Sequence, residues 1–373
     1  MKIMVKETIF KKGLILLLLS MPLMLLQWFS LDASRVLKSY TTGVYPTIKS
    51  LLGKIASVTD IAYGEILVGM LLIVGIIVII KRMRYFFQCL RMDSIQEIIL
   101  FIVSDLLTVM IGVITALIVF QGIWGLNYHQ PTLQSQLSLE RQVVQSDELT
   151  SLLVDLSVAL DIERQGLNKS RFDVVTTSAS HAQLFQQAYD DYTQASLMYE
   201  FVELPSSPPK EIASSVLFSY SGISGIYNPF TGEANVNVLN SAYMLPVVAL
   251  HEMAHQQGIA REDEANFVAY LISQKSDAPL TRYSGKLLVL IHGLNNLRTI
   301  DPIGHRELYE TLSEGIINDL RAHSELWAAY DGLFEETHEK MNDQYLKANG
   351  QESGVESYSQ MIELYVAWMK NNR

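Results

Sequence analysis

Residues 245–271 read LPVVALHEMAHQQGIAREDEANFVAYL and combine the apolar spacing of two helices with an unusual number of polar side chains. Pro246 suits a first helical turn, where its missing N–H costs nothing. Gly258 suits the end of a helix and allows the chain to reverse sharply. The stretch therefore predicts one helix that ends at Gly258 and a second helix that packs back against it.

The first of these two helices carries a pattern of metal chemistry. His251 and His255 are four residues apart, so both imidazoles lie on one face and can reach a single ion. Glu252 is turned about 100° around the helix axis from His251, where it can take a proton from water instead of binding the ion. This H-E-x-x-H spacing is typical of zinc hydrolases. It predicts a Zn²⁺ site.

A third ligand is expected on the second helix, because a catalytic zinc uses three protein ligands and keeps one position open. The residues after Gly258 offer Glu262, Asp263 and Glu264. Glu262 shares a helix face with Asn266, whereas Glu264 is turned about 200° away from Glu262. Either glutamate can face the ion, and helical phase alone leaves the choice open.

The combination of HEMAH with REDEAN resembles the gluzincin clan of metallopeptidases, in which a Glu in an E-x-x-A-[DN] pattern on the next helix completes the site. The resemblance implies Glu262 as the third ligand, with Glu264 as the alternative, and Asn266 as the residue that steadies a histidine. The spacing from His255 to Glu262 is shorter than in gluzincins and nearer to that of metzincins. The metzincin ligand position falls on Arg261, which cannot bind zinc.

A β-hairpin is predicted just before the metal helix. Residues 214–240 alternate apolar and aromatic residues on either side of NPFTGE, a loop whose Pro229 and Gly232 suit a turn. In zincins, a strand edge beside the active-site helix pairs with an extended substrate. The hairpin is the candidate for that role here.

Helical periodicity accounts for most of the remaining soluble part. It predicts helices near residues 146–165, 181–201, 280–297, 306–327 and 358–369. The fold class expected is therefore mainly α: three transmembrane helices, then a mostly helical, zincin-like α+β domain with a small β-sheet or hairpin beside the active-site helix.

The front of the chain is basic and apolar, and the rest is acidic. Residues 1–122 carry 12 Lys and Arg against 7 Asp and Glu, which leaves 16 against 32 for the remainder. Apolar runs at 13–30, 61–80 and 100–124 approach the roughly 20 residues that a spanning helix needs. The alternative is a cleaved signal peptide followed by buried core helices, but no small-x-small cleavage site follows the first run. The acidic remainder argues against a nucleic-acid partner.

Lysine and arginine in short loops predict the orientation in the membrane. Basic clusters at residues 2–12 and 81–91 precede the first run and follow the second, which favours the cytoplasm for those ends. Residues 1–128 are therefore predicted to form a multi-pass domain in the lipid bilayer of the cell membrane. Residues 129–373 are predicted to form an extracytoplasmic zincin-like metallohydrolase domain.

Some single residues carry weaker signals. Asp105 lies at the edge of the third run, either as a functional acid or as an interfacial acid satisfied by Ser104 or Thr108. Cys89 is the only cysteine, so any metal in the soluble part must be held by histidines and carboxylates. The histidines outside the motif have no ligand-like spacing; they are His129, His181, His292, His305, His323 and His338.

The layout as a whole resembles the family called domain of unknown function 3810, bacterial membrane proteins with N-terminal spans and a zinc-peptidase domain. The resemblance is carried by the H-E-x-x-H segment, WGLNY at 124–128, NPFTGEANVN at 228–237 and GVESYSQ at 354–360. It implies the site but no particular substrate.

Together these features predict a membrane-anchored zinc metallopeptidase that cleaves proteins or peptides of the cell envelope. Glu252 would act as general base, and Tyr358 in GVESYSQ is the candidate oxyanion donor. Two alternatives stay open: a zinc hydrolase of a non-peptide envelope amide, and a non-catalytic envelope sensor or scaffold with a structural zinc. A carboxylate beside the first ligand favours catalysis, since a structural site has no use for it.

Overall fold

The structure is a computed structural model that describes residues 2–90, 95–140, 144–167, 172–354 and 360–372. The described chain is mainly helical, with one small sheet. It divides into two compact units: Met1–Tyr45 with Tyr63–Gln130, and Pro46–Ala62 with Pro131–Arg373.

The described residues include the π-helix Val36–Val44 and the 3-10 helix Gly125–His129. In chain order the α-helices are α1 (Lys2–Ser30), α2 (Ala33–Arg35), α3 (Tyr45–Ala56), α4 (Tyr63–Leu90), α5 (Ile95–Ile123), α6 (Leu133–Gln136), α7 (Ser146–Leu167), α8 (His181–Ala195), α9 (Ser215–Ser219), α10 (Leu245–Gln257), α11 (Glu262–Ser273), α12 (Pro279–Ile300), α13 (Pro302–Thr311), α14 (Glu314–Ala328), α15 (Leu333–Ala348) and α16 (Met361–Asn371). The strands are β1 (Lys210–Glu211), β2 (Gly225–Asn228) and β3 (Glu233–Val236).

Three helices of the first unit are long and apolar enough to cross a membrane, which confirms the predicted number of such helices. They are Lys6–Ser30, Tyr63–Gln88 and Ile95–Ile123. Each helix extends beyond its predicted apolar run at one end, where the added residues include lysine, arginine, glutamine or glutamate, which are good helix formers.

Asp105 on α5 has a partner that the sequence did not indicate. Its carboxylate lies 3.0 Å from a guanidinium nitrogen of Arg82 on α4. The two side chains proposed to satisfy it are engaged elsewhere: the Lys12 ammonium donates to the hydroxyls of Ser104 and Thr108, each at 2.7 Å. Asp105 is thus part of an ion pair between two of the apolar helices.

The segment Pro46–Ala62, between the first two apolar helices, packs with the second unit. Lys49 donates to the Glu203 carboxylate at 2.6 Å, and the carbonyl of Ile61 accepts from Lys210 at 2.8 Å. These two contacts join positions about 150 residues apart in the sequence. The predicted division into domains at residue 128 stays a prediction.

The sheet confirms the predicted hairpin. Its strand order is β1-β3-β2, with β1 parallel and β2 antiparallel to β3. Gly225 pairs with Val236 and Asn228 pairs with Glu233. At the turn, Gly232 has φ +72°, a left-handed conformation that favours glycine. In the described part of the chain no further strand covers β2, so β2 forms an edge of the sheet.

The core of the second unit lies between α7, α8, α10, α11, α12 and α16, which contact one another in the described residues. Leu250, Phe267 and Leu290 are completely buried within it. Asp319 of α14 is also completely buried and accepts hydrogen bonds from Arg164 and from the backbone of Val175, both at 2.8 Å. Helices α10 and α11, which carry the H-E-x-x-H stretch, therefore pack against α8 and α12, and α11 also packs against α16.

Two helix predictions differ from the structure in where a helix ends or divides. The helix expected over 181–201 ends at Ala195, and the segment expected over 306–327 divides into α13 and α14, because Ser313 caps the start of α14. Helix α15 was missed. Its apolar side chains Leu333, Phe334 and Met341 are exposed and Leu346 is buried, so only a small part of this helix packs in the core.

Candidate metal centre

The turn between α10 and α11 brings the two halves of the motif together. Helix α10 ends at Gly258, which has φ +111°, and the N–H of Ile259 donates back to the carbonyl of Ala254 at 3.1 Å. Helix α11 then begins directly at Glu262. A carboxylate at the first position of the second helix can reach His255 across a short turn, which explains the short spacing between these two residues.

Three side chains converge on one point. The Nε2 atoms of His251 and His255 are 3.0 Å apart, and each lies 3.2 Å from Oε2 of Glu262. Tetrahedral ligands at roughly 2.0–2.1 Å from a zinc ion are about 3.3 Å from one another. The spacing of the three atoms therefore fits a small tetrahedral cation, and this cluster could hold a metal ion.

The orientation of His255 also fits metal binding. Its Nδ1 lies 2.7 Å from the carbonyl oxygen of Ile259. A carbonyl can only accept, so Nδ1 carries the proton, and in the neutral ring the lone pair of Nε2 faces the cluster. For His251, Nδ1 has no hydrogen-bond partner among the described residues. Asn266, the residue expected to steady a histidine, lines a cavity together with His251.

The alternative ligand Glu264 lies elsewhere. Its Oε1 accepts a hydrogen bond from the backbone N–H of Leu133 at 2.7 Å. Burial, together with the neighbouring Asp263 carboxylate, raises the pKa of Glu264 to about 8. The structure thus brings Glu262, and not Glu264, to the two histidines.

Electrostatics within the cluster favour a negative Glu262 and a bound positive charge. Burial raises the pKa of Glu262, but His255 and His251 outweigh it and hold that pKa well below its ordinary value. Burial lowers the pKa of His255, but Glu262 outweighs it and raises that pKa to about 9. Without an ion, a proton on His255 compensates the carboxylate, and a bound cation would replace that proton.

Glu252 lies beside the cluster and outside it. It is almost fully buried at 4 % exposure, and the backbone N–H of Tyr227 in β2 donates to its carboxylate. Its Oε2 has no hydrogen-bond partner among the described residues. Burial raises its pKa to about 6, although the nearby histidines act in the opposite direction. A buried carboxylate with a free oxygen and a pKa near neutrality is suited to accept a proton.

Glycine at position 225 allows β2 to approach Glu252. A Cβ atom on Gly225 would lie 2.6 Å from Oε1 of Glu252 and 2.8 Å from its Cγ. The sequence did not indicate Gly225, Tyr227 and Ile259 as part of the site. Their contribution is their contact with Glu252 or His255, which depends on the tertiary structure. The only signal was the position of the hairpin just before the motif.

A cavity of about 360 Å³ opens beside His251. Two histidines for which the sequence indicated no ligand spacing line it: His292 of α12 and His323 of α14. Burial lowers the pKa of His323 to about 4, and its Nδ1 lies 3.1 Å from the Ser241 hydroxyl. Tyr358, the candidate oxyanion donor, lies outside the described residues, and its role stays a prediction.

The fold and the site define a mainly helical protein with three membrane-length helices and a buried two-histidine, one-glutamate cluster that could hold a metal ion. The chain belongs to the family described as Protein of unknown function (DUF3810), whose model matches residues 40–366. No curated protein and no solved structure matches the chain.

Proposed function

We propose that this chain is a membrane-anchored zinc-dependent metallopeptidase with a zincin-like soluble domain, acting on proteins or peptides of the cell envelope. The proposal rests on the different positions of the histidine and glutamate side chains of α10 and α11. His251, His255 and Glu262 place three ligand atoms within 3.2 Å of one another, while Glu252 lies beside them with an unpartnered oxygen.

His251, His255 and Glu262 would hold the ion, with both histidines as neutral Nε2 ligands. Bound zinc supplies Lewis acidity, which acidifies water and polarises a scissile carbonyl. The cluster is accessible from one side, since the His251 side chain retains 12 % exposure. His251 also lines the cavity of about 360 Å³, through which water and substrate would approach.

Glu252 would act as the general base. Its free Oε2 takes a proton from the attacking water, and the same oxygen then returns the proton to the leaving amine. The N–H of Tyr227 holds the carboxylate in place. Burial raises the pKa of Glu252 to about 6. This value is close enough to neutrality for the carboxylate both to accept the proton and to give it up.

A peptide substrate is favoured by the edge strand β2. Backbone pairing with an extended chain is a common mode of peptide recognition, and β2 contacts Glu252 through Tyr227. A peptide paired along β2 would therefore lie close to the base. A zinc hydrolase of a non-peptide envelope amide makes no use of this edge.

The non-catalytic alternative, a sensor or scaffold with a structural zinc, is less well supported. Structural zinc sites usually close with a fourth protein ligand. Among the described residues the metal-capable cluster contains only His251, His255 and Glu262. Three ligands and an open side suit catalysis.

The test uses the full chain purified in detergent. Zinc content by mass spectrometry should be near one ion per chain, should be lost in His251→Ala and should be retained in the control His305→Ala. Glu252→Gln should keep the zinc and lose turnover of peptides from a random library. Stoichiometric zinc in His251→Ala would overturn the site, and equal turnover in Glu252→Gln would overturn the mechanism.

A further inference from the structure

The cavity beside His251 is built from elements that also build the candidate metal centre. Met244, Val247 and Val248 line it at positions seven, four and three residues before His251, and therefore on the same side of α10. Leu288 and Ile291 of α12 and Trp327 of α14 face them across the cavity. A molecule whose reacting group sits at the cluster would extend directly into this space.

We propose that this cavity is a specificity pocket that receives a large apolar side chain of the substrate next to the scissile bond. The inference rests on the proposed peptidase function and adds the class of substrate residue that the site selects.

The size of the cavity supports this assignment. Its volume of about 360 Å³ lies at the lower end of the roughly 300–1,000 Å³ range of small-molecule pockets. This is too large for an alanine or serine side chain to fill and sufficient for leucine, phenylalanine or a similar group. An unfilled pocket would lose the contact energy that makes burial favourable.

The walls are chemically suited to an apolar group. Six apolar side chains contribute to them, and no lysine or arginine does so among the described lining residues. His323 is kept neutral at physiological pH, because burial lowers its pKa to about 4. His323 therefore adds hydrogen-bonding capacity to the wall but no positive charge.

Glu335 of α15 is the acidic residue in the lining, and it suggests the competing class of occupant, a basic side chain. Glu335 is half-buried, and its Cγ is close to the position that a Cβ on Gly222 would take, at 3.3 Å. One partly solvated carboxylate stabilises a bound cation only weakly. Burial of apolar area along six side chains is the larger effect.

The inference can be tested by binding, without turnover. The probes are dipeptide hydroxamates with a common zinc-binding group and alanine, leucine, phenylalanine or lysine as the adjacent residue. Affinity for the zinc-loaded full chain in detergent is measured by calorimetry. The leucine and phenylalanine probes should bind on the order of 10- to 50-fold more tightly than the alanine probe, and the lysine probe should bind no better than alanine.

Two variants of cavity-lining residues then test whether the preference for leucine over alanine depends on this cavity. Ile291→Trp should fill the cavity, and Trp327→Ala should widen it; both residues are half-buried. Each should reduce the preference for leucine over alanine at least fivefold while the alanine probe still binds. Ile300→Trp is the matched control on the same helix, since Ile300 is 46 % exposed and outside the cavity lining. It should leave the preference unchanged.

The outcomes separate this inference from the proposed function. Failure of all four probes to bind would overturn the peptidase proposal and the pocket with it. Equal affinity for alanine and leucine probes, or a preference that survives both pocket variants, would overturn the pocket alone. Tighter binding of the lysine probe, abolished in Glu335→Gln, would assign the cavity to basic side chains and also overturn the inference.

Discussion

Gly225→Ala should disturb Glu252, the proposed general base, without touching any of the three proposed metal ligands. The added Cβ would lie 2.6 Å from Oε1 of Glu252, whereas ordinary contacts begin at 3.4 Å, so the carboxylate must retreat by about 0.8 Å. Displacements of ~1 Å in a catalytic group cost up to ~100-fold in rate. We expect turnover to fall about 10- to 100-fold, equivalent to roughly 1.4–2.7 kcal/mol of transition-state stabilisation.

The assay compares hydrolysis rates of the best library peptide with zinc content measured on the same preparations. Zinc should stay near one ion per chain in Gly225→Ala, because no ligand atom moves directly. Gly166→Ala is the control, since a Cβ on Gly166 meets nothing within 4 Å. Wild-type turnover in Gly225→Ala would refute the placement of Glu252 against β2. Loss of zinc would show that the strand supports the ligands and not the base.

Two further predictions concern stability, measured as urea unfolding of the second unit in the full chain. Asp319→Ala removes the acceptor of three buried hydrogen bonds and should lower the free energy of unfolding by about 3–5 kcal/mol. The exposed control Asp331→Ala should lower it by less than about 0.5 kcal/mol. Similar losses in both variants would contradict a structural role for the buried carboxylate. Lys49→Met breaks the 2.6 Å contact with Glu203 and should lower the free energy of unfolding by roughly 1–2 kcal/mol. Lys54→Met, at an exposed position on the same helix, should leave it unchanged. Equal effects of the two variants would argue that segment Pro46–Ala62 is not packed on this unit.

The parts of the molecule that follow from local spacing could be predicted from the sequence. The shared face of His251 and His255 depends only on the helical repeat, and the reversal at Gly258 depends on one residue's conformational freedom. The third ligand needed more. Helical phase left Glu262 and Glu264 open, and the tight turn that makes Glu262 the first residue of α11 decides between them.

Contacts between distant positions could not be predicted in this way. The approach of Gly225 to Glu252 joins residues of a strand and a helix, and the pairing of Lys49 with Glu203 spans 154 positions. No periodicity encodes such contacts, because the same residues could satisfy their local requirements in many tertiary arrangements. The cavity beside His251 has the same origin, since its walls come from five helices and the strand region.

The polar side chains of α10 can now be divided by whether their hydrogen bonds are satisfied. The amides of Gln256 and Gln257 are buried and bonded to backbone and hydroxyl groups, and His255 donates to a carbonyl. The buried atoms of this helix without a partner among the described residues are Nδ1 of His251 and Oε2 of Glu252. An unsatisfied buried polar atom lowers the stability of a folded protein by about 1–3 kcal/mol. Such atoms are expected mainly where a ligand or solvent molecule forms the missing hydrogen bond during function. Both unsatisfied atoms belong to the H-E-x-x-H motif, which supports the proposal that this helix forms a reactive site in addition to its place in the core.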